Sequence, residues 1–230
     1  MGFLVDIKGK KDNEIEVFLD IAVDYIIEGK IIAFPTDSVY GIGGDPLNLE
    51  VVERIYHIKF RDPSKGFLLL VADMEEAKKV AEFNEISEEL AKRFWPGQLT
   101  LILKKKADNI IPDEVTSSPD TIGLRVPENP IILAILKKLK QRGYFGGIIG
   151  TSANYAGEDP SISGKDVSNK IMYPLDLIIE GGKSKSKIPT TIIDCSIKKP
   201  KILRIGKIHE DILMEYITSL NGIIKEGKDN

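Results

Sequence analysis

Cysteine and histidine are nearly absent from this 230-residue chain: Cys195 stands alone, with His57 and His209 as the two histidines. A single thiol excludes an internal disulfide, and one thiol with two imidazoles cannot build a Cys/His zinc site. Cys195 lies in the apolar run TIIDCS, which marks it as a small buried hydrophobe rather than a nucleophile. Two histidines leave little material for a Ser-His-Asp triad, and no G-x-S-x-G elbow occurs. His57, in the helical stretch RIYHIK, reads as a partly exposed surface residue. No uninterrupted apolar run approaches the ~20 residues of a membrane span, and MGFLVDIKGKKDNE has neither an apolar signal region nor a cleavage site. The expectation is a cytoplasmic protein with no membrane partner. A large excess of one sign of charge is missing as well. A net charge of −3 argues against coating nucleic acid through bulk charge, so any basic face must be local.

What is present is an ordinary globular composition, 42% hydrophobic and 29% charged, which is too apolar for a disordered chain. Apolar spacing predicts helices over 16–29 (closed by Gly29), 49–59, 87–95 and 209–220, and another over IILAILKKLKQR. Asn129-Pro130 supplies an N-cap and an N1 proline for that last one, and Asp73 with Glu76 forms a capping box for a helix after FLLLVA. IIAF, FLLLVA, LTLILK, TIGLRV, GGIIGT, LDLIIE, TTIIDC and KILRI read as strands. KKKADNIIPDEVTSSPD and SANYAGEDPSISG read as loops, and IKEGKDN as a frayed tail. Strands and helices interleave without a linker or repeat, which predicts one α/β domain with a mixed sheet. Several strand-to-strand joins carry no helix, so a doubly wound parallel order is disfavoured.

Two phosphate motifs fail on inspection. Gly41-Ile42-Gly43-Gly44 has Pro46 where the third glycine of G-x-G-x-x-G belongs, and Gly182-Lys183-Ser184 has Leu177 where a P-loop opens with glycine. KSKSK reads as a solvated turn. The glycines after FPTDSVY are expected to let the backbone turn and approach a ligand, with Tyr40 packing the loop. Better candidates sit where polar groups leave apolar strands. Lys59-Phe60-Arg61, with Lys65 close behind, is either a solvated charge run or a polyphosphate grip of point charge and fork. Thr151-Ser152-Ala153-Asn154 is either a plain Ser/Asn turn or a hydroxyl and amide at the sheet's carboxyl edge. Arg125, inside the apolar TIGLRVP, needs a partner if buried: a structural acid or a substrate anion.

Taken in chain order, FPTDSVYGIG, KFR, WPGQLTLIL, TIGLRVP, TSAN and PTTIID resemble the YrdC-like family of threonylcarbamoyl-AMP synthases, over nearly the whole chain. The resemblance implies a catalytic domain over 12–220, followed by a tail at 221–230. Its twisted mixed parallel/antiparallel sheet would be flanked by helices, with a ligand cavity on a concave, locally basic face. It implies a nucleotidyltransferase that condenses L-threonine, bicarbonate and ATP to threonylcarbamoyl-AMP and pyrophosphate. Mg²⁺ would accompany ATP, the tRNA threonylcarbamoyltransferase machinery would take the adenylate, and RNA binding is a further expectation.

Residue by residue, the resemblance puts Lys59 and Arg61 on the nucleotide phosphates as the catalytic pair and Ser152 with Asn154 on the nucleotide side. Thr36 and Arg125 fall on the L-threonine side. By looser alignment Thr116, Ser161 and Arg204 contact ATP, and Thr190 contacts threonine. Leu70 departs from relatives that place a histidine there. PTTIID departs toward YciO-like paralogues, which makes a YciO-like nucleotide- or RNA-binding protein without synthase activity the alternative.

Overall fold

The computed structural model describes residues 2–184 and 186–226. The chain begins with β1 (Phe3–Asp6), α1 (Asp12–Ile27), β2 (Ile32–Phe34), β3 (Gly41–Gly43), α2 (Leu49–Lys59) and β4 (Leu68–Val71). There follow α3 (Met74–Val80), β5 (Ala81–Glu82), α4 (Glu85–Phe94), β6 (Leu99–Lys105), α5 (Asp113–Thr116), β7 (Thr121–Arg125) and α6 (Pro130–Gln141). The last part contains β8 (Gly147–Ser152), α7 (Gly164–Lys170), β9 (Leu177–Glu180), β10 (Thr191–Asp194), β11 (Lys201–Arg204) and α8 (Glu210–Glu226). The expected tail at 221–230 overlaps the end of α8, and residues 227–230 lie outside the described residues.

Capping explains the sharp helix starts. Asn48 Oδ1 accepts from the N–H groups of Glu50 and Val51, and Asn129 Oδ1 from those of Ile131 and Ile132. Half of the expected Asp73/Glu76 box forms. Asp73 accepts from Glu76 N at 2.9 Å, but the buried Glu76 carboxylate turns inward to accept from Gly146 N at 2.9 Å. An unmet backbone donor in the interior outcompetes the cap.

The strands form one mixed sheet in the order β1-β9-β2-β3-β8-β4-β7-β6-β10-β11, with β5 paired to β6. β1–β9, β9–β2, β4–β7 and β6–β10 run parallel; the other pairs are antiparallel. One face packs Leu69, Leu101, Ile122, Leu124 and Ile149 against Val52 and Ile55 of α2, Leu90 of α4 and Leu213 of α8. On the other face α1 and α6 bury Ile32, Phe34, Leu70, Ile148 and Leu177 beneath Leu19, Val23, Ile135 and Leu139. Each fully buried side chain of this kind contributes about 1.5–3 kcal/mol. The α1/α6 layer reaches β4 and no further, so β7, β6 and β10 present the same face uncovered.

The structure corrects the sequence in several places, the strands β1 and β5 and the start of α1 at Asp12 among them. The stretch 104–120 is not a plain loop: β6 runs to Lys105, α5 forms, and Ile111 and Val115 are buried. The polar loop 152–164 leads into the unforeseen α7, capped by Ser163 Oγ accepting from Asp166 N. The Gly41–Gly43 segment is a strand, and none of Gly41, Gly43 and Gly44 has positive φ. These glycines serve close strand contact instead of a turn. A Cβ on Gly43 would stand 1.7 Å from the Ile149 carbonyl oxygen, and one on Gly41 would stand 2.8 Å from the Phe34 ring.

Candidate active site

A cavity of about 310 Å³ fills the part of the sheet face that α1 and α6 leave bare. Its floor alternates along the strands as period-2 geometry requires: Leu68 and Leu70, Thr100 and Ile102, Gly123 and Arg125, Gly150 and Ser152. The two glycines keep the floor low. A Cβ on Gly150 would meet Leu70 Cγ at 2.4 Å, and one on Gly123 would meet Ile102 Cδ1 at 3.0 Å.

Of the residues singled out in the sequence, Thr36, Arg61, Thr116, Arg125, Ser152, Thr190 and Arg204 line this cavity; Lys59, Asn154 and Ser161 stand behind its wall. The split between Lys59 and Arg61 has a local cause. Phe60, the C-cap of α2, is left-handed (φ 49°), so consecutive side chains leave the helix end in different directions. Lys59 turns into the interior, 2% exposed, where Nζ donates to the Ser152 carbonyl and, at 2.7 Å, to that of Asn154. Its own carbonyl accepts from Ala156 N at 3.0 Å. Lys59 therefore clamps the chain leaving β8. Desolvation first, and the nearby Arg61 charge second, push its ammonium down to about 7.

Arg61 faces the cavity. Nε donates to Lys65 O at 2.6 Å and Nη2 to Gly66 O at 2.8 Å, and the guanidinium lies 5.2 Å from the Phe67 ring. Three of its five N–H groups remain for a ligand. Burial lowers its pKa without bringing an arginine near neutrality.

Arg125 has the structural acid that its position demanded. Nη2 donates to Asp37 Oδ1 at 2.6 Å, Nε to Gly97 O at 2.8 Å and Nη1 to Ser38 Oγ at 3.3 Å. Both ionic side chains are buried, and Asp37 Oδ1 also accepts from Glu128 N at 2.9 Å. Burial lowers the Arg125 pKa and the Asp37 charge opposes that shift.

Thr36 lines the cavity, yet its hydroxyl is occupied by its own turn. Oγ1 donates to Val39 O at 2.6 Å, accepts from Ser38 N at 3.0 Å and lies 3.0 Å from Ser38 Oγ. Because its one proton points at Val39, the Ser38 hydroxyl is the donor of that last contact. Thr190 is held differently. Arg204 donates through Nε to Thr190 O at 3.0 Å and through Nη2 to Thr190 Oγ1 at 2.9 Å, and the Thr100 hydroxyl lies 3.0 Å away. Burial, and secondarily the Arg125 charge, lower the Arg204 pKa, so the two guanidiniums feel one another.

Thr116 comes from the short helix α5, and its Oγ1 donates to Ser118 O at 2.7 Å. Asn154 Nδ2 donates to Tyr155 O and Glu158 O, both at 2.8 Å, while Asn154 Oδ1 and Ser161 Oγ are buried with no hydrogen-bond partner among the described residues. Tyr40 is structural, as expected: its hydroxyl donates to Gly182 O at 2.8 Å and accepts from Gly181 N at 3.0 Å. Burial first pushes that phenol up to about 12. Cys195 is buried, its thiol likewise raised to about 12 mainly by burial, and His57 is exposed.

Among the described residues three guanidiniums thus line the cavity, and no carboxylate does. Such a wall attracts anions. It does not fit a protein-held Mg²⁺, which wants carboxylate oxygens; among the described residues no group of three His, Cys, Asp or Glu could hold a metal ion. Sequence reasoning missed Asp37, Ser38 and Thr100. Asp37 was findable, since a buried Arg125 calls for an acid and Asp37 sits inside PTDS. Thr100 shows only as a polar residue on one face of LTLILK. No helix among the described residues is long and apolar enough to cross a membrane.

The Sua5/YciO/YrdC family model, described as telomere recombination, matches residues 24–206. The threonylcarbamoyl-AMP synthase of Pyrococcus abyssi is 36% identical over 187 residues, 81% of this chain and 53% of that protein. A putative threonylcarbamoyl-AMP synthase of Methanocaldococcus jannaschii is 33% identical over 204 residues, 88% of this chain and 91% of that one. The crystal structure of P. abyssi Sua5 complexed with L-threonine superposes with a TM-score of 0.83 at 31% identity, covering 94% of this chain and 60% of that one. The chain therefore spans only a little over half the length of the P. abyssi protein.

Proposed function

The chain belongs to the Sua5/YciO/YrdC family, and from that membership we propose that it is a threonylcarbamoyl-AMP synthase acting within its 12–220 domain. The observation that carries the reading is the cavity wall of Arg61, Arg125 and Arg204 with hydroxyls between them and, among the described residues, no carboxylate. The proposed substrates are anionic at the ends that must be held: the carboxylate of L-threonine, bicarbonate, and the phosphates of ATP. The names of the two relatives and the threonine complex of P. abyssi Sua5 support the same assignment.

In the proposed reaction the threonine amine attacks the bicarbonate carbon and water leaves, giving a carbamate. A carbamate oxygen then attacks the α-phosphorus of ATP, the bond from that phosphorus to the β-phosphate bridging oxygen breaks, and pyrophosphate departs with the electron pair. No protein nucleophile is needed. Holding carbamate and nucleotide at attack distance supplies roughly 7–11 kcal/mol of the barrier. Arg61 offsets charge on the departing pyrophosphate. Lys59 acts through the Ser152–Asn154 segment it clamps, Arg125 and Thr190 hold the amino acid, and Arg204, expected on the nucleotide side, also fixes Thr190 through Nε and Nη2. Thr116, Ser152, Asn154 and Ser161 complete the nucleotide side. The adenylate would pass to the tRNA threonylcarbamoyltransferase machinery in the cytoplasm.

The test is incubation with ATP, bicarbonate and L-threonine, measuring pyrophosphate and identifying the adenylate by mass. Pyrophosphate release that requires both threonine and bicarbonate is the expected result. ATP use without threonine overturns it, and no turnover together with tight RNA binding favours a YciO-like binding protein.

A further inference from the structure

Thr100 and Thr190 face each other across the parallel pair β6–β10, whose register sets Leu99 opposite Thr191 and Thr100 opposite Ile192. Their hydroxyl oxygens are 3.0 Å apart, Thr100 being fully buried and Thr190 4% exposed, and both line the cavity. The proton inventory of this pair is closed except at one point. Arg204 Nη2 already fills one lone pair of Thr190 Oγ1. The two hydroxyls hold two hydrogens between them, and one is spent on the bond that joins them. Whichever way that bond points, one O–H is left, and neither hydroxyl has another hydrogen-bond partner among the described residues. Its neighbours Arg125 and Arg204 are donors only, so the atom that takes this hydrogen belongs to an acceptor such as a carboxylate oxygen.

Thr36 cannot play this part, because its hydrogen is committed to Val39 O. We propose that Thr100 is a positioning residue for the amino-acid substrate: by donating to Thr190 Oγ1 it fills that oxygen's second lone pair and turns the Thr190 O–H outward to the substrate carboxylate. The inference rests on the synthase reading and deepens it. With Thr100 as the donor of the shared bond, Thr190 accepts twice and its own hydrogen is left for the ligand; with Thr100 reduced to an apolar isostere, Thr190 is free to rotate its hydrogen away.

The test uses the full chain and L-threonine, by calorimetric binding and by steady-state kinetics, on Thr100→Val, Thr100→Ser, Thr190→Val and the double valine variant. Thr100→Val is expected to weaken threonine binding about tenfold and to raise the threonine KM with little change in the ATP KM. Thr100→Ser, which keeps the hydroxyl, restores binding. The double variant falls no further than Thr190→Val alone, because the two hydroxyls act as one unit. A Thr100→Val protein that binds threonine within twofold of wild type, or that raises both KM values together, overturns the inference while leaving the synthase reading standing. If Thr100→Val does not fold, the decision passes to Thr100→Ala, which must show the threonine-selective loss that Thr100→Ser lacks. Wild-type protein that binds no L-threonine overturns both.

Discussion

Replacing Asp37 by alanine removes the carboxylate that Arg125 touches, and leaves a guanidinium that is 4% exposed with a carbonyl and a hydroxyl as its remaining hydrogen-bond partners among the described residues. The Asp37–Arg125 contact is 2.6 Å between side chains that are 7% and 5% exposed, so water cannot take the place of the missing charge without the wall opening. Breaking a pair of this kind from one side destabilises by roughly 3–5 kcal/mol. Loss of the Glu128 N–H partner acts in the same direction. For a chain of this size the Tm should fall by roughly 6–20 °C. Urea unfolding followed by circular dichroism reads the loss directly, with Asp37→Asn as the milder case because its amide oxygen still accepts. Pairing Asp37→Ala with Arg125→Met separates the ion pair from the geometry, since an apolar pair of similar volume is often neutral. The double variant should recover much of the stability, while threonine-dependent activity stays lost. A destabilisation by Asp37→Ala below about 1 kcal/mol would mean that the pair is solvated in solution, and the account of Arg125 as a buried, prepositioned cation would be wrong.

Arg61→Ala should lower threonine-dependent pyrophosphate release by roughly 10²–10³-fold, the scale of one lost transition-state donor, with the melting curve nearly unchanged because the groups Arg61 holds, the Lys65 and Gly66 carbonyls and the Phe67 ring, lie close to it in the chain. Lys59 binds fewer protons folded than unfolded between pH 7 and its ordinary 10.5, so its contribution to stability is full above that value and is lost as pH falls toward about 7. Urea unfolding across pH 7–10 should show wild-type stability rising with a component that Lys59→Met lacks; parallel profiles for the two proteins would refute the depressed ammonium. Gly43→Ala sets a Cβ against the Ile149 carbonyl and should destabilise by at least roughly 1–3 kcal/mol, whereas a soluble variant with the wild-type unfolding midpoint would deny that β3 and β8 lie so close.

The helices were legible where periodicity and caps agreed. Asn129-Pro130 opens α6 and Gly29 closes the first helix as their residue types require, and the apolar face of 49–59 is the face α2 buries. The strand β3 was illegible because glycine, depleted in strands, fills two of its three positions; it forms by pairing with β2 and β8, where Phe34 and the Ile149 carbonyl come too near for a side chain. The helices α5 and α7 are seven residues or shorter and carry too few apolar positions to show a period. In the site, the need of Arg125 for a partner followed from its apolar neighbours, but the choice of Asp37 required the segment after β2 to lie beside β7.

The sequence by itself determined the longer helices, the apolar strands, the mixed sheet and the set of cationic and hydroxylic residues, because propensity, caps and side-chain chemistry are local properties. Only the tertiary structure decided which of them face the cavity. A left-handed Phe60 sends Lys59 inward and Arg61 outward, a self-bonded turn closes the Thr36 hydroxyl, and the pairing of β6 with β10 sets Thr100 against Thr190. Direction at a helix end and contact across strands depend on chain segments far apart in sequence. No local pattern encodes them.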